Sequence, residues 1–214
     1  MKATLFLIIV CVIAYPFGLK YDSLLAFSYY NLMERKEWWT LITATLIHGG
    51  ILHLLGNMLF LFFFGKALEE KIGSAKLLLC FFTGGVLSLL SGYFFYSHNQ
   101  PVVGASGAIC TLIGTLMIYS PWRISFLLNF FPMPLGVAAF TYMFLNVYLA
   151  YKQHSQPTTG MQTAYQLHVV GFIVGVFFGI TWNKEWKTNL LISIVSFIGF
   201  WIIILLFFDY FRPF

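Results

Sequence analysis

Seven apolar runs, each close to the length needed to cross a bilayer, account for most of this chain. They cover roughly residues 3–17, 50–67, 75–96, 103–119, 135–151, 163–182 and 188–208. A helix rises about 1.5 Å per residue, so roughly 17–25 apolar residues span a hydrocarbon core about 30 Å thick. In lipid every backbone polar group must be satisfied within its own segment, which restricts spanning structure to helices or closed barrels. Runs of this length and continuity predict an all-α, polytopic membrane bundle with about seven transmembrane helices. Composition points the same way. The chain is 60% hydrophobic and 9% charged, whereas a soluble domain carries about 25% charged residues. With 214 residues the expectation is one membrane domain over residues 1–214.

The formal net charge of +5 does not indicate nucleic-acid binding, because the basic residues are scattered between apolar runs and form no stripe. Residues flanking membrane spans explain them better. Cys11, Cys80 and Cys110 lie singly in apolar runs and form no CxxC pair, so neither a disulfide framework nor a zinc knuckle is expected. Lys2 precedes the first run, but Ala14, Tyr15 and Pro16 make a poor cleavage site, and the run reads as a retained helix. With the N-terminus inside, Lys2, Lys66, Lys71, Lys76, Arg123, Lys184 and Lys187 fall on the cytoplasmic side, seven of the twelve basic residues. That bias has the sign of the positive-inside rule.

The long first loop, residues 18–49, is rich in aromatics: Tyr21, Tyr29, Tyr30, Trp38 and Trp39. Such residues favour the headgroup level, and the loop is expected to be interfacial and partly helical. The fifth loop, residues 152–162, contains Pro157, Thr158, Thr159 and Gly160 and is expected to be mobile and outside. Residues 121–134 carry three prolines and fall inside.

Four polar residues interrupt the apolar runs where lipid tolerates them least. His53 and Asn57 lie in the second run, Ser106 in the fourth and His168 in the sixth. Those three spans run in the same direction, and His53, Ser106 and His168 fall in their first turns. At 1.5 Å per residue they share one depth, about 5–10 Å below the outer surface. His53 and Asn57, four apart, project from one helix face. Ser106, Cys110 and Gly114 share a face of span four. His168, Gly171, Gly175 and Gly179 share one on span six. A row of small residues permits close helix approach in membranes, and Gly104, Gly107 and Gly114 offer the facing surface. Packing of spans four and six would bring Ser106 and His168 within hydrogen-bond reach.

A serine hydroxyl becomes a competent nucleophile when a base removes its proton, and histidine is the usual base. No carboxylate lies at this depth, so a Ser106–His168 dyad is expected rather than a triad. A group orienting His168 is not readable from the chain. His53, the Asn57 amide and the Ser106 backbone N–H are candidate oxyanion donors.

These motifs, in this order, resemble the rhomboid family of intramembrane serine proteases. The resemblance rests on Glu37-Trp38-Trp39, His48-x4-His53-x3-Asn57, Gly104-Ala105-Ser106-Gly107 and His168-x2-Gly171-x3-Gly175. It implies a six-helix core over about residues 1–183 and an additional C-terminal span at about 188–208. It also implies catalysis by Ser106 and His168 through an acyl-enzyme, with oxyanion assistance from His53 and Asn57. His48 has the implied role of holding the first loop. The implied substrates are membrane-anchored proteins cut in a transmembrane segment near the outer leaflet, with no cofactor. No organelle signal is readable in the chain, so the plasma membrane is the expectation, with the active site toward the extracytoplasmic side. Span five and loop five are the implied gate and cap. The chain departs from the family pattern at Thr40, where arginine commonly follows the tryptophan. It departs at Cys110, where an aromatic commonly stacks on the base, and at Glu69-Glu70-Lys71, where Glu-x-Arg is common. An intramembrane metalloprotease would need HExxH, and GGIL separates these histidines instead. The alternative reading is a rhomboid-like non-catalytic protein that binds client transmembrane helices.

Overall fold

The computed structural model describes residues 1–125, 132–155 and 163–210. The apolar runs fold as helices. The first is α1 (Lys2–Lys20). Three short helices, α2 (Asp22–Leu25), α3 (Tyr29–Met33) and α4 (Thr40–Leu46), make up the helical part of the first loop. Helix α5 (Ile51–Phe60) continues through a π-helical turn, Leu61–Gly65, into α6 (Lys66–Ser91). Then come α7 (Ser106–Tyr119), α8 (Leu135–Ser155), α9 (Tyr165–Trp182) and α10 (Trp186–Tyr210). Four described stretches are long and apolar enough to cross a membrane: Lys2–Lys20, Ile51–Phe94, Tyr165–Trp182 and Trp186–Leu206. The chain is a multi-pass, all-α integral membrane protein.

Two sequence expectations change in detail. The second and third runs are joined without a loop, as one helical stretch broken at Gly73, whose φ of 79° and ψ of 166° are not helical. Only glycine adopts such a conformation freely. The chain reverses there, because both far ends return to the start of α7. His53 of α5 lies against Gly104, and Ser88 of α6 lies against Gly107. Residues 121–134 also contain a minimal antiparallel pair, β1 (Ile124–Ser125) with β2 (Met133–Pro134). The stretch Pro157–Gly160 lies outside the described residues.

Helix α7 is the centre of the bundle. From Gly107 to Ile118 all its residues are buried, and Leu112, Ile113, Leu116 and Met117 pack with Leu61, Leu77 and Phe81. Burial in lipid does not drive helices together as it does in water, so contact must come from packing and interhelical hydrogen bonds. Both join α7 to α9. Added Cβ atoms at Gly171 and Gly175 would strike the carbonyl oxygens of Gly107 and Thr111, and one at Gly179 would meet Ile118 Cβ at 2.6 Å. The glycines let the backbones touch. Thr111 Oγ1 then donates to the Gly171 carbonyl at 2.9 Å, and Thr115 Oγ1 to that of Gly175 at 3.0 Å. Of the three glycines expected to face span six, Gly107 and Gly114 do so. Gly104 precedes α7 and faces His53 instead.

The outer helices show apolar side chains to their surroundings: Ile9, Val12 and Ile13 on α1, and Ile198, Ile202 and Leu205 on α10. Continuous apolar faces of this size suit lipid and not water. Helix α10 packs on α8, where Gly136 meets Ser193 and Trp201 Nε1 donates to Thr141 Oγ1 at 3.4 Å.

At the opposite end from Ser106, the buried Glu69 carboxylate caps the start of α1. It accepts from the backbone N–H of Ala3 and Thr4 at 2.9 and 3.0 Å, and from the Thr4 and Ser74 hydroxyls at 2.6 Å each. A helix start leaves such N–H groups unpaired and favours an anion. The first-loop aromatics divide. Tyr21, Tyr30, Trp38 and Trp39 are exposed, whereas Tyr29 is buried against Phe27 and Tyr93. Thr40, at the position where the family commonly has arginine, is fully buried and donates to the Glu37 carbonyl at 2.7 Å. Arg35 pairs with Glu37 at 3.0 Å.

Candidate active site

Three of the four polar residues singled out in the apolar runs stand near the start of their helices, and Asn57 lies one turn further along α5 than His53. Ser106 is the first residue of α7, His53 the third of α5 and His168 the fourth of α9. Contact of α7 with α9 brings Ser106 Oγ to 2.7 Å from His168 Nε2. That is ordinary hydrogen-bond length for such a pair, and the tautomer of the ring sets which atom donates. His168 is buried, at 6% exposure.

The oxyanion candidates share one cavity with this hydroxyl. His53, Asn57, Ser106 and His168 all line one cavity of about 710 Å³, with Leu52, Phe60 and Ile109 supplying apolar wall. Asn57, which lines the cavity, has its Nδ2 buried with no hydrogen-bond partner among the described residues. Ser106 is the first helical residue, and the N–H groups of a helix's first turn have no partner inside the helix.

Gly104 sets the distance between these groups. Its φ is +119°, in the region that disfavours side chains. A Cβ there would meet His53 Cε1 at 2.6 Å and Nε2 at 2.8 Å, and Asn57 Nδ2 at 3.7 Å. The Gly104 N–H donates to the Ala44 carbonyl at 2.8 Å, which ties the chain entering α7 to α4. Gly107 packs closely against Ser88, where an added Cβ would meet Ser88 Cβ at 2.8 Å.

His48 lies in the connection between α4 and α5, outside the cavity and 1% exposed. Its ring meets that of His53 edge to face, with centroids 5.1 Å apart. Burial, and then the neighbouring His53, push the His48 imidazole down to about 4. His48 is therefore a neutral wedge behind His53.

Sequence reasoning left the partner of His168 Nδ1 open. The structure supplies Asn146 of α8, whose Oδ1 lies 2.8 Å from that nitrogen. The signal was present, since Asn146 is an amide inside the apolar run 135–151. Cys110 lies one turn after Ser106, buried, with its Sγ 4.0 Å from the Tyr142 hydroxyl of α8.

A hydroxyl held on an imidazole, beside unpaired donors and an open cavity, is an arrangement suited to acyl transfer. Comparison with known proteins agrees with the motifs. A family model described as the Rhomboid domain matches residues 35–185. The rhomboid protease GlpG of Haemophilus influenzae is 30% identical over 195 residues, covering 88% of this chain and 95% of GlpG. YdcA of Bacillus subtilis is 39% identical over 95 residues, 44% of this chain and 48% of YdcA. The rhomboid protease GluP of the same organism is 37% identical over 101 residues, 47% of this chain and 18% of GluP. The chain thus spans nearly the whole of the first relative, about half of the second and a fifth or less of the third.

Proposed function

The chain belongs to the rhomboid family, and from that premise we propose that it is an intramembrane serine endopeptidase. Its substrates are membrane-anchored proteins, cut within a transmembrane segment. The observation that carries the reading is the 2.7 Å contact between Ser106 Oγ and His168 Nε2 on the wall of an open cavity.

In this mechanism Ser106 Oγ attacks the scissile carbonyl carbon while its proton passes to His168 Nε2. The carbonyl oxygen becomes an oxyanion and is held by Asn57 Nδ2, the His53 ring and the Ser106 N–H. Collapse breaks the carbon–nitrogen bond, and His168 returns the proton to the departing amine. A water then attacks the acyl-enzyme, with His168 again taking a proton, and releases the carboxylate and the serine hydroxyl. Cleavage near the outer leaflet follows if the start of α7 faces the extracytoplasmic side of a plasma membrane. The excess of basic residues on the other side supports that orientation.

The test is cleavage of a tagged single-span reporter by purified protein in liposomes, with Ser106→Ala and His168→Ala run beside wild type. Cleavage by wild type and by neither variant is expected. Equal cleavage by all three would remove the dyad. A protein that binds reporter without cutting it would instead be the client-binding member of the family.

A further inference from the structure

The His168 ring is tied at both nitrogens, and the second tie comes from a third helix. Nε2 meets Ser106 Oγ at 2.7 Å, and Nδ1 meets Asn146 Oδ1 at 2.8 Å. The Asn146 amide has a fixed sense. Its Nδ2 donates to the Tyr142 carbonyl at 2.8 Å, one turn back along α8. That leaves Oδ1 facing the ring, and an amide oxygen can only accept. The proton of neutral His168 must then reside on Nδ1, and Nε2 keeps the lone pair that a general base needs.

We propose that Asn146 is the positioning residue of the active site, selecting the tautomer and the ring plane of His168 and so making a Ser106–His168–Asn146 line across α7, α9 and α8. The inference rests on the reading of Ser106 and His168 as nucleophile and base. Three observations support it. Asn146 is 3% exposed, and a buried amide in an apolar helix requires partners. Both its hydrogen-bonding ends are engaged, one on the backbone and one on the base. Among the described residues, little else holds the ring. Cys110 stands one turn after Ser106, where an aromatic could have stacked on the imidazole. Tyr165 meets His168 only edge to face, with centroids 6.2 Å apart at 90°. Hydrogen bonding from α8 therefore does the work of a stacking partner. Because Asn146 is carried on α8 and the dyad on α7 and α9, the base is oriented only while α8 stays packed against α9.

The test compares wild type, Ser106→Ala, Asn146→Leu and Asn146→Asp in liposomes. Leucine keeps the volume and removes the acceptor, whereas aspartate keeps an oxygen facing Nδ1. Asn146→Leu is expected to lower kcat about 10- to 100-fold at unchanged KM, and Asn146→Asp to retain activity within a few fold of wild type. In ¹⁵N-histidine-labelled protein, the His168 signals should show a protonated Nδ1 and a bare Nε2 in wild type, and a mixture of tautomers in Asn146→Leu. Equal kcat for wild type and Asn146→Leu, or an unchanged tautomer in that variant, would overturn the proposal. A raised KM with constant kcat would also overturn it. Absence of cleavage by wild type would count against the protease reading alone, because the tautomer measurement does not need turnover. If Asn146→Leu does not fold, failure of Asn146→Asp to keep the wild-type tautomer would overturn the proposal by itself.

Discussion

Replacing Gly171 by alanine adds one methyl group to the contact that sets the geometry of the dyad. Gly171 is three residues beyond His168 and faces Gly107, the residue after Ser106. The new Cβ would lie 3.0 Å from the Gly107 carbonyl carbon, 2.9 Å from Ser88 Oγ, and closer still to the Gly107 carbonyl oxygen. Ordinary contact for a Cβ begins at 3.4 Å, so relieving the closest of these contacts, with the Gly107 carbonyl oxygen, requires α7 and α9 to part by about 1 Å. Passed to the Ser106–His168 pair, that shift takes the 2.7 Å bond to about 3.7 Å, well past the usual range for a hydroxyl donor. A displacement of 1 Å at a reacting pair costs about 10²-fold in rate, so the predicted fall in kcat is roughly 10²-fold. Overpacking also predicts a stability loss of about 1–3 kcal/mol. Initial rates on the single-span reporter and thermal unfolding in detergent measure the two effects. Gly199→Ala is the control, because nothing lies within 4 Å of a Cβ there, and both quantities should stay at or slightly above wild type. Wild-type kcat and melting temperature in Gly171→Ala would refute the argument that glycine is required for helix approach.

Removing the Asn57 amide with Asn57→Ala should lower kcat about 10²–10³-fold, the effect of deleting one oxyanion donor, with little change in melting temperature; a unit effect on kcat would remove Asn57 from the oxyanion site. Glu69→Ala leaves the Ala3 and Thr4 N–H groups unpaired at the start of α1 and should destabilise the protein by at least about 2 kcal/mol. Unfolding measurements that find no loss would mean that the cap contributes nothing. His48 lies outside the membrane spans and gives a pH dependence. Its imidazole is pushed down to about 4 when folded, against about 6.5 unfolded. Between those values the unfolded chain binds a proton that the folded one refuses. The stabilisation is therefore full above about pH 6.5 and is lost as pH falls toward 4. Melting temperatures from pH 7.5 to 4.5 should fall more steeply for wild type than for His48→Gln; parallel curves would contradict the burial argument.

The helical class was legible because apolar runs of bilayer length admit few alternatives. The contact of Ser106 with His168 was legible because a serine and a histidine in such runs, at matching depth, require partners. Other parts were hidden for identifiable reasons. Gly73 sits among charged residues and resembles any turn glycine; that it permits reversal without a loop depends on a backbone angle. Gly104 fits a small-residue helix face by spacing, yet the helix starts two residues later, and the glycine serves a positive φ beside His53. Asn146 was visible as a polar residue in an apolar run, but spacing within one helix does not say which helix it faces. The same holds for Thr111 and Thr115, whose hydroxyls bridge to α9 carbonyls only after the glycines have brought the backbones together.

The most direct test of the central claim is covalent labelling by a fluorophosphonate, read by peptide mass spectrometry. An adduct on Ser106 in wild type, and its loss in His168→Ala, is the predicted result. An intact protein with no adduct, an adduct on another residue, or undiminished labelling of Ser106 without His168 would contradict it.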